Sequence, residues 1–144
     1  MPHAESDTVI QRPIAEVFAF LADPENDPKW RSGVLDIARI SGTGAGARYR
    51  QGVKGPGGRR VDADIEITQL ETDSLIGFRA RSGPVRPTGQ YRLEPADTGT
   101  RVRFTLDADL PGLKKVMGPI VQKTMNTEVS QLENLKRVLE AEDS

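Results

Sequence analysis

Few side chains in this 144-residue chain are suited to bond-making, and their spacing narrows the chemistry further. His3 is the sole histidine, and there is no cysteine. His3 falls in an N-terminal stretch expected to fray. Ser-His-Asp catalysis, imidazole acid–base chemistry, thiolate metal sites and disulfides are therefore not expected. No HExxH or EF-hand spacing occurs. On this basis no catalytic residue, metal ligand or cofactor site is assigned. Gly42, Gly44 and Gly46 have the spacing of a phosphate-cradling loop. Such a loop needs a helix behind it, and here the strand-like Arg48-Tyr49-Arg50-Gln51 follows, so a hairpin turn is expected instead.

Two tyrosines remain, Tyr49 and Tyr91, both at apolar-facing strand positions. A buried tyrosine hydroxyl needs a partner, which can be a ligand carbonyl, the backbone or water. Trp30, the only tryptophan, suits either a cavity wall or a packed helix–sheet junction. Met117 and Met125 share a helical stripe, and methionine fits an adaptable wall as well as an ordinary core.

The elements that must position these residues can be read from periodicity. The length is that of one domain spanning residues 1–144, long enough to bury a core without staples. A first strand is expected over residues 6–11. A helix follows over 13–22, with Pro13 at its first position. Asp23 then caps a second short helix that starts at Pro24. Six strands are expected at 34–40, 48–53, 61–70, 75–81, 87–94 and 101–110. The third of these alternates Val61, Ala63, Ile65 and Ile67 with Asp62, Asp64, Glu66 and Thr68. Pairing it with 75–81 sets Asp64 and Glu66 beside Arg79 and Arg81 on the wet face, worth about 0.2–1 kcal/mol per pair. A final helix over 113–140 carries Leu113, Met117, Ile120, Val121, Met125, Val129, Leu132, Leu135 and Leu139 in one stripe, with a kink expected at Gly118-Pro119, or a short first helix and a restart there.

An antiparallel sheet with one wet face must cover the other, and only the last helix is long enough to do it. The result is an α+β fold, a curved seven-stranded antiparallel sheet wrapped around a long C-terminal helix, with two short helices between strands 1 and 2. Pro13-x-x-x-Val17-Phe18, Asp23-Pro24-x-x-x-Pro28-x-Trp30, the glycine turn and the ending Leu132-Glu-Asn-Leu-Lys-Arg-Val-Leu-Glu140 follow in that order. In this the chain resembles the START-like (SRPBCC, helix-grip) superfamily of polyketide cyclase/dehydrase and lipid-transport type. The resemblance implies a cavity between sheet and helix. Placed in that fold, Tyr49, Val53, Ile65, Phe78, Tyr91, Phe104, Met117, Val121 and Met125 would line the cavity, with Trp30 near the mouth.

Alternate loops of a meander gather at one end of the sheet. Residues 29–33, 54–60, 82–87 and 111–115 carry Lys29, Arg31, Lys54, Arg59, Arg60, Arg86, Lys114 and Lys115, and no acid. The chain as a whole has a net charge of −1, which gives no global field for nucleic acid. The basic end, with Arg59, Arg60, Arg86 and Lys114 at the cavity mouth, would attract a ligand with an anionic head or make transient contact with an anionic membrane surface. The expected partner is a small hydrophobic molecule (a lipid, isoprenoid or polyketide) held by a carrier or sensor. A polyketide cyclase, aromatase or dehydratase is the enzymatic alternative, for which the inner face offers the tyrosines and Gln51 or Gln69 but no clear carboxylate. A partner-binding or quinone-chaperone-like role is the third. A monomer or weak homodimer is expected. The start of the chain lacks the basic and apolar regions of a signal peptide, which points to a cytoplasmic protein.

Overall fold

The structure is a computed structural model that describes residues 2–82, 86–109 and 118–141. Strand β1 (His3–Ile10) leads into α1 (Ile14–Leu21) and a 3-10 helix (Pro24–Lys29). Then come β2 (Val34–Ser41), β3 (Arg48–Lys54), β4 (Arg60–Asp62), β5 (Ile65–Glu71), β6 (Leu75–Ala80), β7 (Thr88–Ala96) and β8 (Gly99–Asp107). Helices α2 (Gly118–Ser130) and α3 (Leu132–Ala141) complete the described chain. The strands make one antiparallel sheet in the order β1-β8-β7-β6-β5-β3-β2, with β4 added alongside β3. Consecutive strands from β5 to β8 pair directly, and β1 returns to pair with β8 along its full length.

The local signals explain the punctuation. Pro13 stands at the N-cap of α1 rather than inside it, and its carbonyl accepts from Val17 N at 3.1 Å. The Asp23 side chain accepts from Glu25 N at 3.0 Å and starts the 3-10 helix at Pro24. The β5–β6 and β7–β8 turns place Asp73 and Asp97 at positive φ, a conformation that aspartate tolerates better than most residues.

Several departures from the sequence pattern matter. The long strand expected over 61–70 is two strands, β4 and β5, divided at Ala63 and Asp64. Asp64 turns inward there: its carboxylate accepts from Gln51 N, its amide donates to Ser82 Oγ at 2.7 Å, and its carbonyl accepts from Arg81 N. Glu66 alone therefore takes the charge ladder, bonding both Arg79 at 3.0 Å and Arg81 at 2.8 Å. A bulge between Ile67 and Gln69 turns Gln69 outward, so only Gln51 of the two candidate glutamines stays inside.

The C-terminal helix also departs from expectation. It breaks at Gln131, between α2 and α3. Thr127 Oγ1 and Ser130 Oγ bond back to carbonyls of their own helix, at Lys123 and Thr127, and such bonds loosen the ladder. Gly118 and Pro119 open α2, where the missing proline N–H has no cost. The part of the expected helix before them lies outside the described residues. Finally, His3 is not frayed. It lies in β1, with Nδ1 at 2.6 Å from Asp107 Oδ1 and its backbone bonded both ways to the Gln122 amide.

The core lies between the sheet and the helices. Leu132, Leu135 and Leu139 of α3 are almost fully buried with Ile10, Val17, Ile76, Val102 and Phe104. Helix α2 buries only Val121, Met125 and Val129. This difference opens the space described next.

Candidate functional site

Between α2 and strands β3–β6 and β8 lies a cavity of about 450 Å³. Its apolar wall includes Val53, Ile65, Phe78, Phe104, Val121 and Met125, together with Leu106 and Ala80. Small-molecule pockets are commonly a few hundred Å³ and mainly apolar, so both size and lining suit one. Exposed Lys54, Asp62, Thr124 and Ile120 form the rim. Ile120, read from its spacing as part of the buried stripe, is 67% exposed at this rim.

The aromatic residues divide. Phe78 and Phe104 face the cavity. Trp30 is not at the mouth: it is 2% exposed and packs edge-on against Tyr91 and Phe104, with ring centroids 6.0 and 6.2 Å away. Its indole Nε1 is buried with no hydrogen-bond partner among the described residues. Tyr49 is buried within the core cluster, away from the lining of the cavity. Tyr91 borders a second space of about 10 Å³, room for about one water, on the far side of Ile65 and Phe78. Met117 and Lys114 lie outside the described residues.

Between the two spaces sits a polar group that the strand pattern did not reveal. Arg31, just beyond the 3-10 helix, bonds Asp27 through Nη1 at 2.9 Å and Glu128 of α2 through Nε. The same Nη1 lies 3.4 Å from Gln51 Oε1, and Gln51 Nε2 donates to the Ala63 carbonyl at 3.0 Å. Arg31, Gln51 and Glu128 line the large cavity, and Asp27 and Arg31 the small one. Burial pushes the Asp27 carboxyl up to about 6, against the pull of Arg31 and with a further push from Glu128. Burial opposes the Arg31 charge, but Glu128 and Asp27 outweigh it and hold the guanidinium above its usual value. Tyr91, buried beside Asp27, keeps its proton well above the ordinary phenol range.

The spacing did hold a signal for this group. Asp27 and Arg31 are four residues apart, the spacing of a helical ion pair. Glu128 is three residues beyond Met125 and seven beyond Val121, on the same face of α2. Within the sheet, Gln51 is on the inward side of β3 with Tyr49, as the alternation predicts.

The basic end is less basic than the loops alone suggest. Arg60 lies between Asp36 and Asp62, bonding Asp36 Oδ1 at 2.8 Å and Asp62 through Nη1. Those acids come from β2 and β4, outside the basic loops themselves. Arg31 is held by Asp27 and Glu128, and Arg81 by Glu66. Arg59 and Arg86 are exposed. Among the described residues no cluster of metal-binding side chains occurs, and no helix is long and apolar enough to cross a membrane.

Comparison with known proteins extends these findings. The family described as polyketide cyclase / dehydrase and lipid transport matches residues 1–140. Protein TTHA0849 of Thermus thermophilus superposes with a TM-score of 0.82 at 24% identity, over 99% of this chain and 100% of that one. A START superfamily protein from Mycobacterium smegmatis gives 0.69 at 17% identity, covering 97% and 95%. The di-domain ARO/CYC BexL, from the BE-7585A biosynthetic pathway, gives 0.72 at 20% identity over 94% of this chain, which spans 47% of that longer one. At these identities the likeness concerns the fold. No curated protein matches the chain.

Proposed function

The chain belongs to the polyketide cyclase/dehydrase and lipid transport family, and on that premise we propose that it holds a small hydrophobic molecule in the cavity between its sheet and α2, as a carrier or sensor. Membership of the family suggests hydrophobic ligand binding. The observation that carries the reading here is the cavity of about 450 Å³ walled by Val53, Ile65, Phe78, Phe104, Val121 and Met125. Burying a ligand's apolar surface there would contribute about 25 cal/mol per Å² before the costs of association. A lipid, isoprenoid or polyketide fragment fits that chemistry. Native mass spectrometry of freshly purified protein tests the reading. A copurified apolar molecule that is lost when Phe104 and Met125 are both made polar supports it. Protein that stays empty and takes up no apolar compound overturns it.

A second reading, a cyclase- or dehydratase-like enzyme, is favoured by one feature: the Glu128 carboxylate lines the cavity, and behind it, bordering the smaller space with Tyr91, the Asp27 carboxyl sits near 6. A carboxyl in that range can exchange protons near neutral pH. Turnover of a polyketone by purified protein, abolished in Glu128→Gln, would establish it. Binding without turnover would leave the carrier reading in place.

A further inference from the structure

The polar group beside the cavity presents few donors. Arg31 Nε is taken by Glu128, and Nη1 by Asp27 and Gln51. Its third nitrogen, Nη2, has no acceptor among the described residues, although the side chain is only 12% exposed and lines both spaces. Gln51 is 3% exposed; its Nε2 donates to the Ala63 carbonyl at 3.0 Å and its Oε1 lies 3.4 Å from Arg31 Nη1, leaving the second Nε2 hydrogen without an acceptor among the described residues. Two donors thus stand beside a mainly apolar wall. The charge beside them is one guanidinium against two carboxylates, Asp27 and Glu128, with Glu128 itself lining the cavity, while exposed Lys54 and Asp62 carry opposite charges at the rim.

From this geometry we infer that Arg31 Nη2 and Gln51 Nε2 bind a neutral oxygen acceptor (a ketone, quinone or ester oxygen) at the end of an apolar body, in preference to a carboxylate. A neutral acceptor satisfies the open donors and adds no charge. A carboxylate would bring a third negative group into a site where one cation already serves two, and the low-polarity wall gives little screening. The apolar body would lie along Phe104 and Met125. The inference rests on the cavity being a ligand site, and the test below separates the two.

Three probes of nearly one shape make the comparison: 2-acetylnaphthalene, 2-naphthoate and 2-ethylnaphthalene, titrated into the full chain at pH 8 by calorimetry. The expected result is that the ketone binds about tenfold or more tightly than the ethyl compound, the worth of one hydrogen bond to a charged donor, and that naphthoate binds more weakly than the ketone. Arg31→Lys keeps a cation for Asp27 and Glu128 but removes the fork, so it erases the ketone's advantage over ethylnaphthalene. Should that variant fail to fold, Gln51→Met reports on the second donor by narrowing the same ratio. Equal binding of ketone and ethyl compound, or naphthoate as the tightest ligand, would overturn the inference while leaving the cavity a ligand site. Failure of all three to bind would overturn both.

Discussion

Phe78 of β6 stands directly opposite Gly89 of β7, and its ring covers the place where a side chain on Gly89 would project. The same ring forms part of the wall of both internal spaces. The glycine is thus what lets an aromatic residue lie flat between strand and cavity.

Substituting that glycine tests the arrangement. A methyl at residue 89 would overlap the Phe78 ring edge and approach Leu106 Cδ2 to 2.8 Å. Gly89→Ala is expected to cost about 1–3 kcal/mol in urea unfolding, the usual range for an overpacked site. A variant as stable as the parent would mean that the ring moves freely, and that the wall is not fixed.

The two halves of the C-terminal helix should differ in what they contribute. Leu135 of α3 is fully buried, whereas Ile120 of α2 stands at the cavity rim, 67% exposed. Leu135→Ala is expected to cost about 2–5 kcal/mol. Ile120→Ser should leave the unfolding midpoint within about 0.5 kcal/mol of the parent and weaken only the uptake of apolar ligands. The prediction fails if both variants lose stability alike.

Adjacent arginines should likewise behave differently. Arg60 is clasped by Asp36 and Asp62 and lies over Gly52, while Arg59 is exposed and has no such pairing among the described residues. Arg60→Ser is expected to lower the melting temperature by an amount that shrinks as salt is added, because exposed ion pairs are screened. Arg59→Ser should leave it unchanged. Thermal scans at low and high salt decide the matter, and equal effects would show that the clasp contributes nothing.

Much of this architecture is legible in the residues themselves. Asp23-Pro24 marks the 3-10 helix, the alternation of Val102, Phe104 and Leu106 marks β8, and the stripe from Val121 to Leu139 marks the covering helices. What escapes the pattern are events that depend on distant partners. Asp64 looks like one more outward residue until Gln51 and Ser82 come near it and divide the strand. Glu128 looks like a solvated helix residue until the fold brings Arg31 to it across 97 positions of sequence. Arg60 looks like a free cation because Asp36 is 24 positions away. Periodicity reports which face a residue occupies, and it does not report which partner waits there.

The partners of Asp27 make stability depend on pH in a particular direction. Its carboxyl is buried beside Arg31, with Asp23 at the head of its own helix, Glu128 approaching from α2 and Tyr91 from β7, and it sits near 6 in the folded chain. A carboxyl raised by folding binds its proton more tightly in the native state than in the unfolded one. Its contribution is therefore complete below about pH 4, where both states are protonated, and is lost as pH rises through about 6. Asparagine cannot ionise and removes this dependence. Relative to the parent, Asp27→Asn should gain about 2–3 kcal/mol between pH 4 and pH 8, the size that such a difference in proton affinity implies. Taking the difference between the two proteins cancels the titration of every group they share. Urea unfolding at intervals across that range measures it. A flat difference, or one that falls as pH rises, would show that Arg31 outweighs burial and holds Asp27 ionised throughout.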